Sequence, residues 1–160
     1  MDGPLMGAIE RFTDAARDLG LEPEIRRFPE GTKTAVDAAR AIGCDVEQIV
    51  KSLVFMADGS PVIAYTSGGN RVNPSKLAGL AGASESRRAT PEEARAATGF
   101  AVGGTPPFGH PAPIRSFIDP ALLAFQEIWA AAGTPDSVFP LTPSELQRAT
   151  GAETADFTEG

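Results

Sequence analysis

The run Ala101-Val-Gly-Gly-Thr-Pro-Pro-Phe-Gly-His110 is the stretch of this chain that packing does not explain. Gly103 and Gly104 let the main chain approach a ligand closely or take a positive φ, while Pro106 and Pro107 fix φ and remove two donors. The expected product is a stiff loop in which Gly103, Gly104 and Thr105 keep their N–H groups, a concavity suited to a phosphate or a developing oxyanion. A plain surface turn is the competing reading. Lys51 is the second candidate, because it opens a run (residues 50–57) that is apolar on both faces. An ammonium there is costly unless it is paired or opens into a cleft. The alternative is that it snorkels out at a strand end.

Two other reactive side chains carry less. Cys44 is the only cysteine and His110 the only histidine, which excludes an internal disulfide and any multi-cysteine zinc site. Gly43-Cys44-Asp45 has the look of a helix terminus, so a small buried thiol is the preferred reading over a nucleophile. His110 follows the Gly-Pro loop directly. It either lines a pocket mouth or sits exposed beside Pro111.

Composition sets the frame for these groups. A chain of 160 residues, 42% hydrophobic, suits one domain (residues 1–160) with a core that needs neither disulfides nor metals. No apolar run is long enough to cross a bilayer and no signal peptide is evident, so a cytoplasmic protein is expected. The formal charge of -7 argues against gripping nucleic acid by bulk electrostatics. Its distribution is uneven, however: in residues 48–91 the cations Lys51, Arg71, Lys76, Arg87 and Arg88 face only Asp58 and Glu85. A locally basic middle on an acidic body suits a short anionic end, not a long duplex. A scatter of solvated charges is the plainer alternative.

The elements that must position these residues follow from periodicity and caps. Leu5, Ile9, Phe12, Ala16 and Leu19 form an apolar stripe for a first helix between Pro4 and Gly20. Residues 24–28 read as a short strand, and Thr34 caps a helix that runs to Ile42 with Gly43 at C′. Asp45 caps one further turn. The run 50–57 is a buried central strand; Asp58-Gly59 is a hairpin signal, and residues 61–66 return as its partner. Ser67-Gly68-Gly69-Asn70 is a flexible turn, and Asn73-Pro74 starts a helix to Leu80. Thr90-Pro-Glu-Glu93 and Thr142-Pro-Ser-Glu145 are capping boxes with proline at N1; Asp119-Pro120 shares their first two elements. Residues 114–118, 127–132 and 138–141 add strands, the second open to a helical reading because it is alanine-rich. The sum is an α/β fold, a mixed and mostly antiparallel sheet, curved or closed into a barrel, ringed by short helices.

Lys51-Ser-Leu-Val-Phe followed by a hairpin, then Thr98-Gly-Phe-Ala-Val-Gly-Gly-Thr-Pro-Pro-Phe-Gly109 and Ile118-Asp119, resembles the YbaK/EbsC family, also called the prolyl-tRNA-synthetase-associated domain. The resemblance extends over nearly the whole chain. It implies a compact α/β domain around a mixed β-barrel, acting as an aminoacyl-tRNA deacylase that hydrolyses mischarged tRNA in trans. Lys51 would be the family lysine and residues 103–107 the Gly-x-x-x-Pro loop. Where many relatives have Val-Asp-Leu-Lys-Lys, this chain has Val72-Asn-Pro-Ser-Lys76, so a capping use replaces a carboxylate at Asn73. On this reading Lys51, Gly103 and Gly104 are the catalytic candidates. Thr105, Pro106, Pro107, Phe108, His110, Ser67, Gly68 and Arg71 are the substrate contacts. No metal or other cofactor is implied. The partners are the 3′ end of a mischarged tRNA and a synthetase or elongation factor. The alternative is a catalytically silent module of the same fold that binds a tRNA end or a synthetase.

Overall fold

A computed structural model describes residues 7–29 and 34–159. The elements are α1 (Ala8–Asp18), β1 (Arg26–Arg27), α2 (Ala35–Ile42), β2 (Val50–Ala57), β3 (Ser60–Ser67), α3 (Pro74–Ala81), β4 (Ser86–Arg88), α4 (Pro91–Thr98), β5 (Arg115–Ile118), β6 (Ile128–Ala131), β7 (Ser137–Leu141), α5 (Pro143–Thr150) and β8 (Glu153–Thr154). Short 3-10 turns lie at Val46–Gln48 and Pro120–Ala124. Five strands form one sheet in the order β4-β2-β3-β5-β8, and three form another in the order β1-β7-β6. The β3–β5 and β5–β8 pairs are parallel and the other ladders antiparallel. The sheets curve toward one another without closing into a barrel. β6 packs beside the start of β2, and the ladder-type pairing there is a single parallel bridge from Ile49, just before β2, to Trp129.

β2 is an interior strand with both faces apolar, but the middle position of its sheet, expected for it, falls to β3, which is the more buried of the two. Val50 and Val54 enter one cluster with Phe12, Ile63, Ile118 and Phe139. Phe55 and Ala57 enter a second with Leu77, Phe117 and Phe157. The two-residue turn that joins β2 to β3 has positive φ at both positions, 49° at Asp58 and 85° at Gly59, as a primed hairpin turn requires. The Asp58 carboxylate then accepts from Ser84 N, Ser84 Oγ and Glu85 N, which ties the turn to the chain entering β4.

The caps fall where the sequence puts them. Thr34, Asn73, Thr90 and Thr142 each accept a main-chain N–H of their helix's first turn, and Gly43, Gly99 and Gly151 end helices with positive φ. The alanine-rich stretch 127–132 forms a strand, β6. Four details differ from expectation. The first helix is assigned from Ala8, while its expected start at Pro4 and Leu5 lies outside the described residues. β1 is two exposed arginines instead of five residues, held by pairing with Val138 and Ser137. β4 and β8 have no counterpart in the periodicity, because three and two mostly polar residues carry no pattern of their own.

Phe12 is fully buried; it stacks on Phe108 at 5.1 Å between ring centroids and meets Phe139 in a tilted pair at 4.6 Å. Phe12→Ala should therefore cost about 3–5 kcal/mol of folding stability, read as a lowered urea midpoint at unchanged slope.

Candidate active site

Because the two sheets do not close, a cleft of about 440 Å³ opens between the first half of β2 and β6–β7. Of the residues singled out from sequence, Lys51, Gly68, Gly103 and Thr105 border it. Arg88 of the basic middle and Val102 of the candidate loop border it too, as do Ser52, Trp129 and Val36, which were not anticipated. Val36 and Val102 are 53% and 49% exposed, which places two uncovered apolar side chains at this opening.

Lys51 is half-buried, and its Nζ donates to the main-chain oxygen of Asn70. Asn70 is itself held, its Nδ2 donating to Asp119 Oδ2 at 2.8 Å. The same Asp119 oxygen accepts from Ser67 N at 3.1 Å, and Oδ1 accepts from Ala121 N at 3.0 Å. Asp119 is only 2% exposed, so one buried carboxylate fixes the end of β3, the turn after it and the Pro120–Ala124 turn together. The Lys51 amine is pushed below its ordinary value first by burial and then by the positive Arg88 and Arg71; Asp119 acts in the opposite sense. The other cations of the basic middle are neutralised elsewhere. Lys76 pairs with Asp156 at 3.2 Å and Arg87 with Glu93 at 2.7 Å. Among the described residues no carboxylate forms an ion pair with Arg71 or Arg88.

The loop that follows α4 is built as a stiff wall. Gly103 has φ 89°, and neither its N–H nor that of Thr105 has a partner among the described residues. Gly104 has a different job from the one expected. Its N–H donates to Ala101 O at 3.0 Å, and a Cβ on it would lie 2.7 Å from Thr134 Cα. It is a docking point for the 133–134 turn, and its amide is already used. Pro107 O accepts from Tyr65 Oη at 2.8 Å, and Pro106 O accepts from His110 Nε2–H at 2.9 Å. Phe108 is buried in the ring cluster with Phe12 and Phe139. Pro106, Pro107, Phe108 and His110 thus stand behind the cleft-facing residues and brace them. Ser67 is also buried, its Oγ donating to Glu47 O at 2.7 Å. At Gly68 any Cβ would run into Val46 O, so only glycine lets β3 leave the sheet there.

The thiol and the imidazole are not assembled into a pair. Neither borders the cleft, and Cys44 packs beside Ile49 and Trp129, where burial, then Asp45 and Glu127, push its thiol up. Asn73 serves as a cap, its Oδ1 accepting from Ser75 N and Lys76 N. The sequence signal for Asp119 was its cap pattern, which hid its second role.

The pattern that defines the aminoacyl-tRNA editing domain matches residues 29–149. The chain belongs to this family. Over 125 residues the editing domain is 31% identical to YwhH, an uncharacterized protein of Bacillus subtilis, spanning 78% of this chain and 80% of that one. It is 38% identical over 92 residues to the proline–tRNA ligase of Nitratidesulfovibrio vulgaris, spanning 58% of this chain but only 16% of the ligase. It also superimposes on a crystal structure of a protein proposed as a trans-editing enzyme for prolyl-tRNA synthetase. The TM-score is 0.91, with 43% identity, over 98% of this chain and 99% of that one.

Two outcomes test the braces. Asp119→Ala leaves the buried Ser67 N–H and the Ala121 N–H without their acceptor, and should cost on the order of 2–5 kcal/mol in urea unfolding. Burial, partly offset by the bond to Pro106 O, holds His110 below its ordinary value of about 6.5. The unfolded chain therefore binds that proton more readily. The His110 contribution is full above pH 6.5 and is lost as pH falls through the lowered folded value. His110→Gln keeps a donor for Pro106 O, so its stability should fall less steeply than wild type between pH 6.5 and 5 in parallel urea titrations.

Proposed function

We propose that this editing domain hydrolyses the ester that joins an amino acid to the 3′ end of a mischarged tRNA, acting in trans. The observation that carries the reading is the cleft itself. One wall is β2, with Lys51 at its rim, and the other carries Gly103 and Thr105 with two main-chain donors uncommitted. In the reaction water adds to the ester carbonyl, the tetrahedral oxyanion collapses, and the bond to the ribose oxygen breaks. The water proton passes to the ribose oxygen, leaving a free amino acid and an intact tRNA. An activated ester needs chiefly a placed water and stabilisation of one oxyanion, and fixed amides in a cleft are suited to the second.

Lys51, with Arg71 and Arg88 nearby, supplies positive charge where the polyanionic tRNA end must enter. In its ammonium form it acts as an electrostatic clamp on the phosphate or carbonyl end, not as a general base. The ligase relatives contain this region within a proline–tRNA ligase, so tRNA for proline carrying the wrong amino acid is the first substrate to try.

Purified protein incubated with a panel of mischarged tRNAs should release the amino acid faster than the uncatalysed rate; a silent binding module would protect the ester. Lys51→Ala should lower the single-turnover rate by about 10²-fold or more, with the fold intact by circular dichroism. Lys51→Arg should recover only part, since a planar fork does not reproduce a compact ammonium held on Asn70 O. A Lys51→Ala rate near wild type would remove the clamp from this reading.

A further inference from the structure

In an antiparallel ladder, alternate residues direct their main-chain N–H and C=O to opposite neighbours. Two bonds fix the phase in β2: Gly68 N–H donates to Ile49 O at 2.7 Å, and Ala89 N–H donates to Val54 O at 3.0 Å. With Ile49 and Lys51 directed toward β3, the even positions Val50, Ser52 and Val54 face the other edge. β4 covers that edge from Val54 onward, in the register Phe55 to Arg88 through Ala57 to Ser86. β6 touches it at the Ile49–Trp129 bridge. Ser52 falls between the two: neither the β4 ladder nor the bridge to β6 pairs with it on that edge, and it borders the cleft.

A second observation points to the same residue. Ser52 Oγ is the one buried side-chain nitrogen or oxygen without a hydrogen-bond partner among the described residues. Buried polar groups are nearly always paired, and this unpaired hydroxyl marks a stretch of the wall whose hydrogen bonding is incomplete. Val50 and Val54 flank it on the same face, so its polarity has no counterpart along this strip of wall.

Resting on the deacylase reading, we propose that the aminoacyl group docks on the open edge of β2 as if it were one residue of an added strand. The ester carbonyl accepts from Ser52 N–H, and the α-ammonium donates to Ser52 C=O. One residue exchanging two bonds with another is the closed pair of an antiparallel ladder, and N–Cα–C=O is the part of the substrate that every α-amino acid shares. Ser52 N–H then polarises the carbonyl from one wall while the uncommitted donors of Gly103 and Thr105 lie on the other. The ligand class is an α-amino acyl ester with a free amino group. Recognition of the side chain is left to the remaining walls.

The test compares single-turnover hydrolysis of aminoacyl-tRNA with that of its N-acetylated form, which cannot donate as an ammonium. At least a tenfold slower rate for the acetylated ester is expected, and equal rates would overturn the docking. Ser52→Pro deletes the N–H that faces the cleft without removing a β3 ladder bond, a placement proline tolerates on a strand edge. It should lose at least tenfold more rate than Ser52→Ala, which keeps both main-chain groups. A folded Ser52→Pro within threefold of Ser52→Ala sinks the proposal; if that variant does not fold, the acetylation arm still decides. Binding of 3′-deoxy-3′-(L-alanylamino)adenosine, a non-hydrolysable amide, separates this from the catalytic reading. Tighter binding of that amide than of its N-acetyl form, by tenfold or more, supports the docking even if no ester is turned over. Equal binding of the two amides refutes the docking even if esters are hydrolysed.

Discussion

The middle of β2 has a ladder partner on one side only, and much of the cleft depends on that. Continuing the β2–β4 register past Ala89 would bring Pro91 opposite Ser52. A proline has no N–H to give to a ladder, and this one is the first residue of α4. Thr90 completes the diversion: its hydroxyl accepts from Glu93 N while Glu93 Oε1 accepts from Thr90 N, so the chain turns into a helix where a strand would otherwise have sealed the wall. Glu93 also accepts from both terminal guanidinium nitrogens of Arg87, which holds β4 beside that cap. A motif that looks like ordinary helix punctuation therefore keeps the window open.

The opposite wall is held by a different device, the close approach of main chains. Gly104 lies against the Thr134 backbone, and a Cβ at Gly133, whose φ is 114°, would sit 2.7 Å from Ala8 O. These contacts stack the cleft loop on the turn between β6 and β7, and that turn on the start of α1. Ordered packing of glycines leaves little freedom at Gly103 and Thr105. Donors fixed in advance need no reorganisation when charge develops, which is why a loop of glycines and prolines suits oxyanion chemistry better than a mobile one.

Where the information was local, the sequence was enough. Capping boxes, the Asp58-Gly59 turn and the doubly apolar β2 each depend on residues within a few positions of one another, and they appear as read. Lys51 and the Gly-Pro loop stood out for a related reason, since a charge in a buried strand and a cluster of conformational extremes both break local rules, and the fold brings Lys51, Gly103 and Thr105 to one cleft. The missed features are all tertiary. β4 and β8 exist because Phe55–Ala57 and Phe117–Ile118 present edges to them, not because Ser86–Arg88 or Glu153–Thr154 favour strands. Asp119 reads as a cap, and one of its oxygens is one; the other binds Ser67 and Asn70, residues about fifty positions away. Gly104 and Gly103 look equivalent in sequence, yet only the fold reveals that one amide is spent on Ala101 O. Ser52 gave no signal, because its unpaired edge is defined by where other chains stop.

Charge links the two walls to the substrate. Arg88 reaches over the Phe55 ring at 5.8 Å from the β4 side, and Lys51 shares with Phe55 the β2 face opposite Ser52. Neighbouring residues on one strand thus do two tasks: Lys51 collects positive charge on one side of the sheet edge, and Ser52 opens polar main chain on the other. The repulsion among Lys51, Arg71 and Arg88 is tempered by the buried Asp119, which also orients Asn70 for the Lys51 bond. An anionic group arriving at this edge relieves that repulsion further. The body around it is acidic, with seven carboxylates and one arginine in residues 116–160. Positive charge is then concentrated at this edge of an otherwise acidic body, an arrangement that attracts a short anionic end and repels a long polyanion.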